Sequence, residues 1–471
     1  MLHVTKPDRK SPAGRILLVN PPLEEPYRYP RGNGTAPGDN ADVDNSHACG
    51  RQYIYPLPIG LMRIAGQRLR EGNEVYFLDG FSSLGRRYPS SRNRRTASDL
   101  PGFPLSDRWQ IRYCHLGLRY EEMGRLLRHV DVDEVLVGCT FTYHNDAAHR
   151  AIEVVREKLP EATIRFGGIY PTLAPEVART SRADEIFTGA YPGIEDEALN
   201  YDFLGVPPGF ILIKGTSGCP NRCAYCAVHL LEGNRFRHRD PEEVVAEIRA
   251  GCNRYHLRRV AIWDSNILMQ YDDYFGIVLR KLIDSDMKLR LAAPEGFDYR
   301  LLTPEMAREL KAAGFATISL ALENIDTAYT RTRLNRSNNI GRLESAVAAL
   351  KDAGFPGRHI RLFVIIGLPG QTIDNVLENI RFAWSLGCNV TLFPFTPIPG
   401  TLLYEENLAE LHGLPLRALH PSLYPCIPDP DVRNQLVELA GLAILNGQSK
   451  SQVEHFREVI RSPELQEQLA P

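Results

Sequence analysis

The sequence has no excess of charge of either sign and no long apolar run. Its 471 residues carry 55 basic and 57 acidic side chains, which gives a formal net charge of −2. A nearly neutral chain has no global field to draw it onto nucleic acid, so nucleic acid is not expected as a partner. No stretch of eighteen apolar residues occurs, so we expect no membrane span. The polar start of the chain lacks the apolar core of a signal peptide, which favours a cytoplasmic protein.

Cysteine is scarce, with nine in the chain, and this scarcity without a secretion signal argues against a disulfide scaffold. Three of them, Cys219, Cys223 and Cys226, lie close together, which indicates a shared chemical role. The other six are scattered and are interpreted as plain thiols: Cys49, Cys114, Cys139, Cys252, Cys388 and Cys426.

The first part of the chain alternates predicted strands with predicted helices, which is typical of a parallel sheet. We predict a doubly wound α/β domain over residues 15–195, after a tail over residues 1–14. Two stretches have no predicted element: a polar loop from Leu23 to Tyr55 and an arginine-rich insertion from Gly80 to Leu118. The strands are expected at Arg15–Asn20, Glu74–Leu78, Glu134–Cys139, Thr163–Phe166 and Glu185–Phe187, with helices over 58–71 and 146–159.

A second series of strands and helices follows a linker over residues 196–209. Six strands over residues 210–403 predict a barrel-like or open parallel sheet, whose chemistry would collect at the carboxyl ends of the strands. Residues 404–471 are predicted to be helical, with helices over 432–445 and 451–460. The six strands are expected at Phe210–Lys214, Arg259–Trp263, Leu289–Ala292, Thr317–Leu322, Ile360–Ile366 and Asn389–Phe395.

Helix boundary signals separate these strands. Asp240 can cap a helix that begins at Pro241, and Gly251 is predicted to lie just past its end. Thr303 and Gly314 bound a second helix in the same way. The alternation of strand and helix is therefore regular through this region.

The three clustered cysteines follow directly on the first strand of the second series, with the spacing C-x3-C-x2-C. Three thiolates on one tight loop can hold three irons of a cubane cluster and leave the fourth iron open to another ligand. Gly218 suits a loop that folds back sharply. The alternative is a zinc site, in which His229 would be the fourth ligand.

This spacing, with Tyr225 just before the last cysteine, resembles the radical SAM superfamily, whose cysteine loop follows the first strand of a partial (β/α)6 barrel. The resemblance implies an enzyme with a [4Fe–4S] cluster on Cys219, Cys223 and Cys226 and with S-adenosylmethionine (SAM) on the open iron. It also implies reductive cleavage of SAM, with an electron from a donor such as flavodoxin or ferredoxin.

Segments at later strands carry the resemblance further. Trp263-Asp-Ser-Asn266 lies where the family has a segment near the methionine amino group, and Ser319-Leu-Ala-Leu-Glu-Asn324 resembles S-x-G-x-E-S. The segment from Phe363 to Thr372 resembles the one that packs on adenine, and Thr391–Pro394 would be the adenine-facing sixth strand. The resemblance assigns cofactor binding to Tyr225, Asn266, Ser319, Glu323, Arg361, Ile365, Gly367, Thr391 and Phe393.

The first domain resembles the Rossmann-like cobalamin-binding domains that precede some radical SAM domains, through V-N-P-P after the first strand and Gly-Gly after a later one. The resemblance implies that Thr140, Gly167 and Gly168 lie beside a cobalamin. The D-x-H-x-x-G motif of the cobalt-ligating histidine is not intact, because Asp44–Gly50 has one residue too many before His47. Members without this motif either bind cobalamin with no protein ligand to cobalt or lack the cofactor.

Together these resemblances predict a cobalamin-dependent methyl transfer to a small molecule or natural-product intermediate. One alternative is a cobalamin-free member that catalyses rearrangement, ring formation or transfer of the aminocarboxypropyl group of SAM. The other is a non-enzymatic iron–sulfur redox sensor or a zinc-binding protein. The sequence does not identify the substrate.

Overall fold

The computed structural model describes residues 2–6, 12–30, 57–81, 96–99, 109–195, 197–204 and 208–445. The chain divides into two compact units. The first, here the N-terminal unit, comprises Met1–Gly209, Ile398–Gly400 and His412–Leu423. The second, here the barrel unit, comprises Phe210–Pro397, Thr401–Leu411 and Tyr424–Pro471.

The N-terminal unit contains a six-stranded sheet with the order β1-β4-β2-β7-β8-β9. Strand β1 pairs antiparallel with β4, and the other neighbours are parallel. The sheet strands are β1 (Leu2–Thr5), β2 (Arg15–Asn20), β4 (Glu74–Asp79), β7 (Glu134–Gly138), β8 (Thr163–Gly167) and β9 (Glu185–Ile186). The helices of this unit are α1 (Ile59–Arg70), α2 (Tyr120–Leu127), α3 (Asn145–Lys158), α4 (Ile169–Leu173) and α5 (Pro175–Ala178).

Strand β2 shows why the doubly wound domain was predictable. A strand buried on both faces of a parallel sheet is apolar at successive positions rather than at alternate ones. Leu17 and Val19 belong to a core cluster with residues of α2 and α3. Leu18 alternates to the opposite face and is also fully buried, so both faces of β2 are covered.

Two regions predicted without strands form a second, antiparallel sheet with the order β3-β6-β5. Its strands are β3 (Leu23–Pro30), β5 (Thr96–Asp99) and β6 (Trp109–Leu116). The predictions of a loop from Leu23 and of an irregular insertion from Gly80 are therefore wrong at these residues. The sequence of β3 contains two glutamates and two prolines, so it has no apolar alternation, and its partner β6 lies far along the chain. Strand β1 likewise lies in the predicted tail.

The barrel unit contains the six parallel strands expected of a partial (β/α)6 barrel. Strands β10, β13 and β14 form one three-stranded ladder, and β15, β16 and β17 form another. Phe297, after the end of β14, bonds to β15 of the second ladder, because its N–H donates to Ser319 and its carbonyl accepts from Ala321. The six strands are β10 (Ile211–Ile213), β13 (Arg259–Ile262), β14 (Arg290–Ala292), β15 (Ile318–Glu323), β16 (Ile360–Ile366) and β17 (Asn389–Pro394).

The helices of the barrel unit follow the predicted boundary signals, with one exception. Asp240 and Thr303 cap α7 and α9 as expected. Helix α7 however continues past Gly251 to Arg254, so that glycine is not its terminus. A Cβ there would lie 3.1 Å from Ile211, so the glycine serves close packing of helix on strand. The helices are α6 (Val228–Leu231), α7 (Pro241–Arg254), α8 (Phe275–Asp284), α9 (Pro304–Ala312), α10 (Thr327–Thr332), α11 (Ile340–Asp352) and α12 (Ile373–Ser385).

After the barrel strands the chain is mainly helical, with α13 (Leu402–Glu406), α14 (Leu408–Leu411) and α15 (Pro430–Leu445). Two short 3₁₀ turns, Leu416–Leu419 and Pro421–Leu423, lie between α14 and α15. The helix predicted over 451–460 lies outside the described residues. In the described part of the chain, no helix is both long and apolar enough to span a membrane.

Candidate functional site

The cysteine loop follows β10 and is shaped by a short antiparallel ladder between β11 (Thr216–Ser217) and β12 (Arg237–His238). Gly218 lies at φ +75°, and a Cβ there would sit 2.2 Å from the carbonyl oxygen of Arg235. Only glycine therefore fits this turn. The Cys219 N–H donates to Gly233 at 3.2 Å and closes the loop.

The three cysteines are free thiols, with Cys223 buried and the other two half-buried. Burial raises the pKa of the Cys226 thiol to about 12 and also raises the pKa of Cys219. Bare thiols at Cys219 and Cys226 stay protonated at neutral pH, whereas a bound metal centre deprotonates its thiol ligands.

The spacing of the sulfur atoms bears on which metal they suit. In the described residues, neither the three cysteines nor a set of them with His229 brings its ligating atoms within 4.8 Å of one another. Two thiolates on one zinc ion are separated by only about 3.8 Å, because each Zn–S bond is about 2.3 Å. The cysteine sulfurs are therefore not arranged as the closed shell of a single zinc ion in this conformation.

Arg336 lies directly behind the loop and was not predicted. It is only 7% exposed, and its Nη1 is 3.8 Å from the sulfur of Cys223. The same guanidinium lies 3.8 Å from Asp298 and 3.9 Å from Glu323. A positive charge is therefore buried beside the cysteines and balanced by two carboxylates.

Tyr225 and Glu323, both predicted, are brought together. The Tyr225 hydroxyl donates to Glu323 at 2.8 Å. Burial raises the pKa of Glu323, although Arg336 and Tyr225 oppose that shift. Glu323 also lies at φ +66°, where the register of β15 shifts against β16.

Asn266, also predicted, lies beside the first cysteine. Its side chain hydrogen-bonds the Cys219 thiol. Asp264, two residues earlier, accepts from the N–H groups of Gly215 and Thr216 at 2.8 and 2.9 Å. Asn266 Oδ1 and Asp264 Oδ2 are buried and have no hydrogen-bond partner within the described residues. Such atoms fit a site that a polar cofactor completes.

Four further predicted residues share one face of the second ladder. Register pairs Ile365 with Phe393 and Thr391 with Phe363, so these side chains point to the same side. Phe363 and Phe393 make an edge contact at 4.7 Å between ring centroids. Ser319 is on this face as well, paired with Arg361.

Arg361 is not brought to the cysteine loop. It is exposed and is the second residue of β16, at the amino end of the strand, whereas the cysteine loop follows the carboxyl end of β10. Its contact with SAM stays a prediction. The buried arginine beside the cysteines is Arg336 instead.

Gly367, predicted at the adenine segment, occupies a turn that only glycine fits. It lies at φ +76°, and a Cβ there would be 2.4 Å from the Tyr424 ring. Gln371 closes the turn by donating to the carbonyl of Ile365 at 3.1 Å.

In the N-terminal unit, Thr140 lies just after the carboxyl end of β7, Gly167 is the last residue of β8, and Gly168 follows it. Thr140 lines a cavity of about 30 Å³ with residues after β2 and β7. Gly168 lies at φ +109°, and a Cβ there would be 2.5 Å from the carbonyl oxygen of Cys139. His47 lies outside the described residues.

Sequence reasoning missed Arg336, Asp298 and Arg300, which surround the cysteine loop from later parts of the barrel unit. Arg300 donates two hydrogen bonds to Asp298, at 2.8 and 2.6 Å. Burial opposes ionisation of Asp298, but Arg300 and Arg336 outweigh it and lower the pKa of this carboxyl. These residues follow β14 or lie between α10 and α11 and carry no spacing signal.

The comparison with protein families agrees with this geometry. Residues 213–383 match the radical SAM superfamily. This part of the chain is therefore a radical SAM domain, a class of domain that uses a [4Fe–4S] cluster and SAM.

The curated relatives match only part of the chain. One is the ribosomal protein uS12 methylthiotransferase RimO of Heliobacterium modesticaldum, 30% identical over 48% of this chain and 50% of the relative. Another is an uncharacterized methyltransferase of Pyrococcus horikoshii, 26% identical over 48% of this chain and 47% of the relative. The chain spans about half the length of these relatives.

Solved structures match most of the chain in fold. The radical SAM methyltransferase TsrM of Kitasatospora setae, solved with cobalamin and a [4Fe–4S] cluster, is 15% identical, with a TM-score of 0.58 over 85% of this chain and 78% of TsrM. The cobalamin-dependent SAM radical enzyme OxsB is 12% identical, with a TM-score of 0.50 over 93% of this chain and 63% of OxsB. At these identities the likeness concerns the fold alone.

Proposed function

We propose that the chain is a radical SAM enzyme in which Cys219, Cys223 and Cys226 hold a [4Fe–4S] cluster. The chemistry that such a cluster and SAM supply together is one-electron reductive cleavage of the sulfonium. The observation that carries the proposal is the C-x3-C-x2-C loop at the carboxyl end of β10, within the matched residues.

The residues around the loop would position SAM. Asn266 would meet its polar methionine end with the unpartnered Oδ1. The face with Ile365, Thr391 and Phe393 would line the adenosyl end. Tyr225 and Glu323 would hold the loop against β15 through their hydrogen bond.

The electron would reach the cluster through a cleft of about 320 Å³ that reaches Cys223. Arg222, Arg300 and Arg336 line this cleft. A cationic rim suits an acidic donor such as flavodoxin or ferredoxin. Such donors are cytoplasmic, so we place the enzyme in the cytoplasm.

We further propose that the N-terminal unit binds cobalamin and that the product is a methylated small molecule or natural-product intermediate. The shared fold with TsrM supports this reading. Gly168 and Ile169, which is 38% exposed, offer a small and apolar surface after β8. Bound cobalamin would supply a transferable methyl group.

The cobalamin-free alternative, with rearrangement, ring formation or aminocarboxypropyl transfer, is favoured by one observation. The cavity beside Thr140 has room for about one water molecule. A corrin tail would have to bind on the surface there rather than inside this cavity.

Purified protein reconstituted under anaerobic conditions tests both proposals. We expect about four irons and four sulfides per chain, and formation of 5′-deoxyadenosine or another SAM cleavage product with dithionite. The visible absorption spectrum of cobalamin in the purified protein would support methyl transfer, and its absence would support the cobalamin-free alternative. One zinc without sulfide would exclude the cluster, and a loaded cluster that never cleaves SAM would exclude the enzyme.

A further inference from the structure

Three ligand-type side chains converge in the interior of the N-terminal unit. Glu25 lies in β3, His144 ends the 3₁₀ turn Thr142–His144, and His420 follows the turn Leu416–Leu419. Their exposed fractions are 4%, 2% and 2%. In the described part of the chain, this is the one group of three such residues whose ligating atoms all lie within 4.8 Å of one another.

The ligating atoms of this group are hydrogen-bonded to one another and lie close to the spacing of a coordination shell. His144 Nε2 is 2.9 Å from Glu25 Oε1, and His420 Nε2 is 2.8 Å from Glu25 Oε2. Ligand atoms on one tetrahedral zinc ion lie about 3.3–3.6 Å apart, because each is about 2.0–2.2 Å from the metal. The two contacts, which use different oxygens of Glu25, would therefore lengthen by about 0.4–0.8 Å when one ion binds between the three side chains.

The surroundings hold the two imidazoles in place. The Tyr143 ring packs edge-on against His144 at 4.7 Å and against His420 at 4.6 Å. Ser422 Oγ lies 2.7 Å from His420 Nδ1 and can orient that ring, as outer partners of metal-bound histidines do. His144 also lines the cavity of about 30 Å³, which has room for a water as a further ligand.

The charge of Glu25 needs compensation in this interior. Among the described residues, the ion-pair partners of Glu25 are His144 and His420, and no lysine or arginine pairs with it. A buried carboxylate is tolerated when it is paired or when it coordinates a metal. The compensating charge is thus either a proton on an imidazole or a metal ion.

We propose that Glu25, His144 and His420 bind a divalent metal ion of the zinc class. Two imidazoles and one carboxylate form a recognised ligand set for this class. The ion joins β3, the turn after β7 and the segment before α15, so its role is to stabilise the N-terminal unit. This inference does not depend on the proposed radical chemistry.

The metal-free arrangement is the competing explanation. In it, each Nε2–H donates to Glu25, and the Ser422 N–H, 3.2 Å from His420 Nδ1, suits that tautomer. The two explanations differ in whether zinc binds and stabilises the fold. The Ser422 N–H contact favours the metal-free tautomer, whereas a metal on Nε2 requires a proton on Nδ1, which Ser422 Oγ would accept. Zinc binding must therefore be measured.

The test uses the full chain with Cys219, Cys223 and Cys226 each replaced by alanine, so that zinc cannot occupy the cysteine loop. After treatment with a chelator, this background protein is titrated with Zn²⁺ alone. We expect about one zinc per chain, and binding weakened at least about 100-fold by Glu25→Gln or His420→Asn. His149→Asn is the matched control, because His149 bonds Tyr170 outside the group and should leave binding unchanged.

Thermal unfolding of the same proteins, with and without zinc, provides the second readout. Zinc should raise the Tm of the background protein and of the His149 control, because an ion that binds only the folded state stabilises it. It should not raise the Tm of the Glu25 and His420 variants. Two results would overturn the proposal in favour of the metal-free arrangement. In one, zinc does not change the Tm of the background protein. In the other, the background protein binds zinc no more tightly than His420→Asn does.

Discussion

Arg336→Gln should destabilise the barrel unit far more than loss of a surface charge does. The Arg336 guanidinium is buried and lies 3.8 Å from Asp298 and 3.9 Å from Glu323. Removal of one partner of a buried pair costs about 3–5 kcal/mol, because the other charge stays buried without compensation. Asp298 keeps Arg300 and Glu323 keeps Tyr225 as partners, so we expect a loss at the lower end, about 3 kcal/mol.

The assay is urea unfolding of the cluster-free protein, with Arg333→Gln as the matched control. Arg333 pairs with Glu406 at 3.5 Å, and both side chains are more than a third exposed, at 44% and 37%. A pair of this kind contributes at most about 1 kcal/mol. Adding Glu323→Gln to Arg336→Gln should recover part of the loss, because no unpaired carboxylate then remains at that position.

Two results would refute this reasoning. One is a loss for Arg336→Gln that equals the loss for Arg333→Gln. The other is strict additivity: the double variant would then lose as much unfolding free energy relative to Arg336→Gln as Glu323→Gln loses relative to the unsubstituted protein. With the cluster present, the same substitution removes a positive charge beside Cys223, so we also expect a lower reduction potential.

Three further predictions follow from single contacts. Cys223→Ser should abolish iron binding and SAM cleavage, whereas Cys252→Ser, in α7, should retain both when iron and 5′-deoxyadenosine are measured. Gly218→Ala should lower the free energy of unfolding by more than about 1–3 kcal/mol, because it combines left-handed strain with a backbone clash. The control Gly60→Ala lies in open space on α1 and should be neutral or stabilising. Thermal unfolding measures both. Slight burial opposes ionisation of Asp184, but hydrogen bonds to its carboxylate lower its pKa below 3.8. The stabilisation that it gives is therefore present above pH 3.8 and is lost as the pH falls through the lowered pKa. In unfolding measurements from pH 5 downward, the free energy of unfolding of Asp184→Asn should fall less steeply with pH than that of the unsubstituted protein.

The strands that could be predicted are those whose burial is visible in the sequence. Strand β2 is buried on both faces, so its apolar run identifies it without knowledge of its neighbours. Strand β3 could not be predicted, because Pro26 and its glutamates are unfavourable in strands and its pairing with β6 depends on the tertiary fold. Glu25 is buried there because His144 and His420 reach it from distant parts of the chain.

The site likewise contains residues that the local sequence identifies and residues that only the tertiary fold brings together. The three cysteines are recognisable because their ligand geometry requires fixed spacing along one loop. Arg336 reaches Cys223 from 113 positions along the chain, so only the fold shows that it belongs to the site. Arg361 was assigned by its place in a resembling strand; it is exposed near the amino end of β16, and its contact with SAM stays a prediction.

The conformation of Glu323 indicates that the carboxylate is positioned before any cofactor binds. A left-handed backbone at a residue other than glycine is unfavourable and persists only where the surroundings determine it. Tyr225 and Arg336 contact the Glu323 side chain, and Asn338 donates to the carbonyls on either side of it, at Leu322 and Asn324. These contacts come from two separate segments of the barrel unit, the cysteine loop and the segment between α10 and α11, so they hold the bulge without help from a ligand. Binding energy from SAM is then not needed to build this part of the site and remains available to orient the sulfonium that is to be cleaved.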